Sequence, residues 1–254
     1  MKSQDCKPLG QQDHWNDLFA KDDAFFGESA SEFAQNSLEI FKKNGVRSLL
    51  DFGCGQGRDS FLFAQNGIEV TALDYSESAV LNIRNRAKKC GLPSLIKPQE
   101  HDVRKTLPFE SCSFDVCYSH MLLCMNLTNS EVAFVLREIH RVLKPDGLVF
   151  YSVRNNFDKH FRAGKHLSDD IYEIGGFVIH FFDQAKVNNL SKGYELLDVI
   201  RLEEGTLPRD LFCVQMKKGV APDNWEINFR HEKDKQNVNI NKNDGSFKSS
   251  LGKT

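Results

Sequence analysis

The sequence predicts a doubly wound α/β fold around a mostly parallel, seven-stranded sheet. From Val46 onward, short apolar runs alternate with stretches whose apolar residues recur at helical spacing, which is how βαβ units read in sequence. The runs cover 46–52, 68–73, 95–101, 113–118, 148–153, 196–202 and 211–216. The first of them passes directly into glycines at alternate positions and then into a helix, as the leading strand of a nucleotide-type domain does. With 254 residues, 40% of them hydrophobic, the chain can bury one large core and is marginal for two.

Taken in order, 31–43 carries apolar side chains at 33, 34, 38, 40 and 41, a helical stripe that Asn44 and Gly45 end. With Trp15, Phe19, Phe25 and Phe26 ahead of it, 1–45 reads as a helical, aromatic N-terminal cap. The first strand is followed by a helix over 58–66 that Gly67 stops, and the second by a helix over 76–89 that Cys90 and Gly91 stop. Pro98 has no N–H to give a ladder, so the third strand belongs at a sheet edge or is lost. Thr128 and Glu131 stand three apart, the spacing of a capping box, and open a helix over 130–143. Lys144-Pro-Asp-Gly147 then predicts a turn before the fifth strand.

The stretch 154–182 is rich in Phe, His, Gly and charge, and reads as an insertion over the site within a domain of 46–218. From about Gly219 the apolar periodicity fades, and 231–254 is almost wholly polar. The segment 219–254 therefore reads as a disordered tail, too poor in apolar surface to offset its ordering entropy.

Composition narrows the function classes. Net charge is −2 and the pI is near 6.5, so there is no global basic field to hold a phosphate backbone, and nucleic acid is not the expected partner. No run approaches 18 apolar residues, and the first residues lack the apolar core of a signal peptide, so a cytoplasmic protein without membrane contact is expected. The seven cysteines form no C-x-x-C pair and several sit in apolar runs, which points to buried thiols. The histidines lack H-x-x-x-H spacing, so no metal is expected.

The most specific signal is Asp51-Phe-Gly-Cys-Gly-Gln-Gly57 followed by Arg58. Glycines at a strand-to-helix turn let the backbone approach a ligand, and the helix behind them offers unpaired N–H groups. A nicotinamide fingerprint wants G-x-G-x-x-G, but here the glycines are 53, 55 and 57, and Arg58 holds the third glycine's slot. Asp51, at the strand end, suits a ligand that carries positive charge better than a pyrophosphate; S-adenosylmethionine has an ammonium and a sulfonium. Further on, Asp74 and Tyr75 end the second strand. An acid there can accept ribose hydroxyls, while Asp74 or Ser76 could equally cap the next helix. Asp102 and Val103 offer a carboxylate and an N–H to an adenine edge, or form an ordinary surface turn.

Together with Phe114-Asp-Val and Leu143-Lys-Pro-Asp-Gly147, these segments resemble motifs one to five of the class I S-adenosylmethionine-dependent methyltransferases, over about 46–153 and more loosely 183–217. The resemblance implies a Rossmann-like methyltransferase fold and S-adenosylmethionine as cofactor. It implies cofactor contacts at Asp51, Gly53, Gly55, Gly57, Asp74, Asp102 and Val103, with Arg58, Tyr75 and Ser119 beside them. Phe25-Phe-Gly-Glu-Ser-Ala-Ser-Glu-Phe33, Gly-Gln-Gly-Arg-Asp59 and Glu204-Gly-Thr-Leu-Pro208 are similar to the small-molecule branch near the tellurite-resistance and thiopurine methyltransferases.

Methyl transfer from a sulfonium is an in-line displacement whose activation the cofactor supplies. Positioning and water exclusion are then the protein's main devices. The fourth strand ends Tyr118-Ser-His120-Met-Leu and lacks the Asn/Asp-Pro-Pro-Tyr/Phe motif of amine-methylating relatives. His120 stands where a general base could act, or serves packing and hydrogen bonding alone. Arg154, Asn155, His160, His166 and His180 could recognise an anionic or soft substrate, or form a solvated lid. The expected function is methyl transfer to a small-molecule acceptor. A protein or RNA methyltransferase, and a non-catalytic S-adenosylmethionine-binding regulator, stand as alternatives, with an NAD-dependent oxidoreductase weakened by Arg58.

Overall fold

The computed structural model describes residues 10–205 and 209–225. The chain runs α1 (Gln11–Lys21), α2 (Glu32–Lys43), β1 (Ser48–Phe52), α3 (Arg58–Gln65), β2 (Glu69–Asp74), α4 (Glu77–Lys89), β3 (Ile96–Glu100), β4 (Phe114–His120), α5 (Asn129–Val142) and β5 (Leu143–Arg154). It continues with β6 (Lys165–Ser168), β7 (Ile171–Ile174), β8 (Phe177–His180), α6 (Gln184–Leu190), β9 (Tyr194–Glu204) and β10 (Arg209–Lys218). Seven strands form one sheet in the order β3-β2-β1-β4-β5-β10-β9. β1 to β5 pair in parallel, and β10 runs antiparallel to both β5 and β9. The strand order reverses between β1 and β4, and in open α/β sheets ligands bind in the crevice at such a switch point.

Helices cover both faces of the sheet. On one, α5 buries Val132, Val135, Leu136, Ile139 and Val142, the three-four spacing of an apolar stripe. Its start is a capping box: the Thr128 N–H donates to Glu131 Oε2 at 2.7 Å, and the Glu131 N–H donates back to Thr128 Oγ1 at 3.3 Å. A cap of this kind contributes about 1 kcal/mol. On the other face lie α2, α3 and α4. The rings of α2's Phe41 and α3's Phe63 lie 5.5 Å apart, and Phe41 also meets Phe150 of β5 at 4.9 Å.

That packing corrects the reading of 1–45 as a single cap. α2 is a core helix with Phe33 and Phe41 fully buried, and only α1 and the turn after it lie over the strand ends. A second correction concerns Lys144 to Gly147, which falls inside β5. Two residues of β4 (Phe114 to Val116) pair with the stretch from Leu143 to Leu148, so the turn residues bulge out of the ladder, with Asp146 at φ +61°. The strand containing Pro98 is β3, at the sheet edge as its missing N–H requires.

The 154–182 insertion folds as a three-stranded antiparallel sheet, β6-β7-β8. Asp183 then caps α6 by accepting the Lys186 N–H at 2.7 Å. Gly219 and Trp225, expected in the tail, pack against α5. The Gly219 carbonyl lies 3.1 Å from His140 Nε2, and Trp225 meets the His140 ring edge-on at 5.1 Å. Residues 226–254, and with them the wholly polar stretch, lie outside the described residues. Cys117, Cys124 and Cys213 are buried free thiols, and no helix among the described residues is long and apolar enough to cross a membrane.

Candidate active site

The glycine turn is fixed to the end of β2 by its own backbone. Gly53 and Cys54 donate their N–H groups to the Leu73 carbonyl at 2.7 and 3.0 Å, and Gly55 donates to Asp74 Oδ2 at 2.8 Å. Gly53 sits at φ +71°, and a Cβ there would come within 2.6 Å of Leu122 Cβ. Gly57, at φ +80°, is the N-cap of α3, and its Cβ would strike Ile83 at 2.9 Å. Both positions therefore require glycine.

Around this turn three acids are buried together. The Asp51 carboxyl is 2% exposed and accepts the Ser60 hydroxyl at 2.5 Å. Burial pushes its pKa up to about 8; the Ser60 bond opposes the rise, and the charges of Asp59 and Asp74 add to it. Asp59 accepts from Ser31 and from Tyr118, both at 2.8 Å, which ties the start of α2 to β4. Asp74 is raised to about 6 by burial, offset in part by the N–H groups of Ser76, Gly55 and Tyr75. Ser76 caps α4 while Asp74 Oδ1 accepts the Ser76 N–H at 2.9 Å, so capping leaves Asp74 at the site. Arg58 lies 3.6 Å from Asp59, but Asp51 and Asp74 are buried with no cation in ion-pair contact, which favours a cationic ligand.

Two cavities, of about 370 and 310 Å³, open beside the switch point and share Gly53, Asp74, Tyr75, Leu122 and Met125. The first brings together Asp51, Gly53, Gly55, Arg58, Asp74, Tyr75 and His120. The second adds Asp102 and Val103, with Asp102 held below the ordinary carboxylate range because bonds from Arg104 outweigh its burial. Gly57 and Ser119 line neither. Gly57 shapes the turn, and the Ser119 hydroxyl is fully buried and donates to the Phe52 carbonyl at 2.9 Å.

α1 roofs both cavities. Trp15 stacks on Phe19 at 5.3 Å and meets Phe177 of β8 at 5.4 Å. Gln11 donates to the Gly176 carbonyl at 3.0 Å, and Gln12 to the Tyr75 carbonyl at 2.8 Å, so α1 bridges the β7–β8 turn and the end of β2. The following turn is anchored by Gln56, which donates to the Asp22 carbonyl at 2.6 Å and accepts the Phe25 N–H at 3.0 Å.

His120 has a partner on each nitrogen. Ser152 Oγ accepts the Met121 N–H at 3.1 Å, which leaves its own proton to donate to His120 Nδ1 at 2.8 Å. That assignment puts the imidazole proton on Nε2, 3.0 Å from Glu204 Oε2, with no lone pair left facing the cavity. Burial raises the Glu204 pKa, but His120, Arg58 and Arg209 outweigh it and hold the carboxyl below its usual range. Next to His120, Met121 lines the cavity at φ +62°, a conformation that side chains other than glycine seldom adopt.

The polar residues of the insertion are committed elsewhere. Arg154 makes two bonds to Asp158, Asn155 donates to Asp210 at 2.6 Å, His160 sits on Arg154 and Asp158, and His166 reaches the Asp169 carbonyl. His180 is fully buried between the Leu127 carbonyl and Lys186, and burial depresses its pKa to about 3. The sequence reading missed Glu204 and Arg209, which flank the loop joining β9 to β10. The available signal was the direction of β10: a strand antiparallel to its neighbours starts at their carboxyl ends, beside the crevice.

A sheet of this order, with a glycine turn after β1 and acids ending β1 and β2, defines the class I S-adenosylmethionine-dependent methyltransferase fold. The family of methyltransferase domains matches residues 49–147, and the domain in this chain is of that class. The malonyl-[acyl-carrier protein] O-methyltransferase of Erwinia pyrifoliae is 34% identical over 142 residues, 51% of this chain and 49% of that protein. A putative methyltransferase of Bacillus subtilis is 30% identical over 114 residues, 43% of each chain. The chain thus spans about half the length of the curated relatives it matches. Among solved structures, the 1,6-didemethyltoxoflavin-N1-methyltransferase of Burkholderia thailandensis shares the fold with TM-score 0.61 and 19% identity, covering 86% of this chain and 97% of that one. A methyltransferase of Methanosarcina mazei does so with TM-score 0.58 and 20% identity, over 68% and 92%.

The residues present fit the cofactor of this class, S-adenosylmethionine. Asp51 and Asp74, buried with no cation in ion-pair contact, suit its sulfonium and ammonium, and two joined cavities suit its two-part shape.

Proposed function

We propose that the chain transfers the methyl group of S-adenosylmethionine to a small-molecule acceptor. The observation that carries this reading is the buried acid at the glycine turn, Asp51, facing a cavity that continues past Asp74 to Asp102. In this reading Asp51 and the turn at Gly53 and Gly55 hold the methionine end, Asp74 and Tyr75 the ribose, and Asp102 with Val103 the adenine. Gly57 and Ser119 support the turn from behind, and Arg58 ties it to Glu204 at 3.4 Å. The cofactor supplies the activated methyl group.

The protein's own contribution is alignment and exclusion of water. α1 and the β7–β8 turn form the lid; a roof so close to the strand ends favours a free small molecule over a folded macromolecule. His120, with both nitrogens occupied, fixes Glu204 and the cavity wall and removes no proton.

The test is a melting experiment. S-adenosylhomocysteine at 100 times its Kd should stabilise the protein by about 2.7 kcal/mol, as any ligand specific for the native state does, and NAD should leave the melting temperature unchanged. Stabilisation by NAD alone would reject the reading.

A further inference from the structure

Four guanidinium groups line the larger cavity, and they differ in how they are satisfied. Arg58 donates to the Phe26 carbonyl at 3.2 Å and to Glu204 at 3.4 Å, and lies 3.6 Å from Asp59. Arg154 is clamped by Asp158 at 2.9 and 2.7 Å. The Arg209 side chain makes no hydrogen bond or ion pair with any described residue; its guanidinium lies 6.0 Å above the Phe26 ring. Two of the four thus have a carboxylate partner; of the others, Arg86 of α4 stacks on the Phe61 ring at 4.2 Å, while Arg209 brings its charge to the β10 side of the cavity.

From this we infer that Arg209 recognises the acceptor, and that the acceptor is a small acid with a flat apolar body. The inference rests on the methyltransferase reading and adds the substrate class.

Topology places Arg209 on the acceptor side. It starts β10, which lies beyond β4 and β5 from β1, about 14 Å from the glycine turn at ordinary strand spacing. The carboxyl groups of the cavity are unevenly placed in the same sense. Asp51, Asp59 and Asp74 gather by β1 and β2 with Arg58 and Arg86 beside them, whereas the end by β10 holds Arg209 with no carboxylate in ion-pair contact. Between the two ends the wall is aromatic and aliphatic: Trp15, Phe25, Phe26, Phe177 and Ile179. Apart from the Trp15 indole N–H, the side chains of this wall offer no hydrogen bonds, and it suits a flat hydrocarbon surface.

Electrostatics agree with the placement. Burial pushes the Arg209 pKa down, the charges of Arg154 and Arg58 add to this, and Glu204 offsets only part of it. A guanidinium in that position gains most from a carboxylate, which it can grip with two parallel N–H bonds.

The experiment is calorimetric titration of the protein saturated with S-adenosylhomocysteine. The probes are acid–amide pairs of one shape: benzoate and benzamide, phenylacetate and phenylacetamide, indole-3-acetate and indole-3-acetamide. Expected is binding of at least one acid at least tenfold tighter than its amide. In Arg209→Gln that preference should vanish through loss of acid affinity alone. Arg209→Lys should keep part of it, and S-adenosylhomocysteine affinity should stay within twofold in both variants. Equal binding of acid and amide across the series, or failure of every acid to bind, overturns the proposal. So does a tenfold loss of S-adenosylhomocysteine affinity in folded Arg209→Gln, which would assign Arg209 to the cofactor's own carboxylate. Failure of the unsubstituted protein to bind S-adenosylhomocysteine would instead reject the methyltransferase reading, and the substrate class with it.

Discussion

Asp51 is a carboxyl group that burial has largely neutralised, and that has consequences for pH. Its folded pKa of about 8 lies above the ordinary value of 3.8, so between those limits the folded state holds a proton that the unfolded state has lost. Asp74 behaves alike up to about pH 6. Stability therefore falls as pH rises from about 4 to about 8, and levels off above. Without ligand, the melting temperature should drop across this window, and Asp51→Asn should flatten the upper half of the drop. A cation reverses the preference. S-adenosylmethionine should gain affinity between pH 6 and 8 over S-adenosylhomocysteine, which keeps the ammonium but lacks the sulfonium charge, and release more proton on binding, measurable in buffers of different ionisation enthalpy; equal pH profiles for the two would remove Asp51 from contact with the sulfonium end. His120 makes a second prediction at this scale. His120→Gln should cost an anionic acceptor less than about tenfold in kcat and leave the kcat–pH profile unaltered, since no proton has to move. Loss of an ionisation from that profile would restore His120 as a base.

At the scale of elements, the strands and helices of the α/β unit were legible because each carries a local cause: apolar runs, the Thr128–Glu131 box, glycine stops. What was not legible depended on partners distant in sequence. The stripe of α2 says that one face is buried, but not that it packs against Phe63 and Phe150 rather than over the site. Lys144 to Gly147 has turn chemistry, and the ladder from Leu148 onward simply absorbs it as a bulge. In the candidate site, the glycine turn and its acids were readable from spacing, whereas Ser119 sits at the right strand end with its hydroxyl turned to Phe52. Arg209 could be found only once β10 was known to run backwards. The contact between α1 and β8 leads to a prediction for these elements. Hydrogen exchange in 11–21 and 171–180 should slow when S-adenosylhomocysteine and an acid acceptor bind together, because the roof hydrogen bonds from Gln11 and Gln12 then open less often. Exchange that stays equally fast would mean that α1 covers the cavities without closing on them.

For the molecule as a whole, the sheet separates two tasks: its carboxyl-end crevice carries the site, and the opposite end and the far edge carry stability. Residues 219–225 belong to the second. None of them lines either cavity. Trp225 instead fills the space left at Gly193, where a Cβ would come within 2.7 Å of its ring, and it meets His140 on α5. Gly219 donates its N–H to the Gly193 carbonyl at 2.9 Å, closing the chain against the start of β9. A chain ended after Lys218 should therefore lose about 1–2 kcal/mol, from one partly buried aromatic and the hydrogen bonds of Gly219. For a domain of this size that is a drop of about 2–8 °C in melting temperature. Its affinity for S-adenosylhomocysteine should be unchanged, because the loss lies away from the crevice. A chain ended after Trp225 should melt with the full-length protein, given how few apolar groups 226–254 contributes. Equal melting of all three chains would show that the Trp225 contact adds nothing to stability, and weakened ligand binding in the shorter chain would show that the two ends of the sheet are coupled.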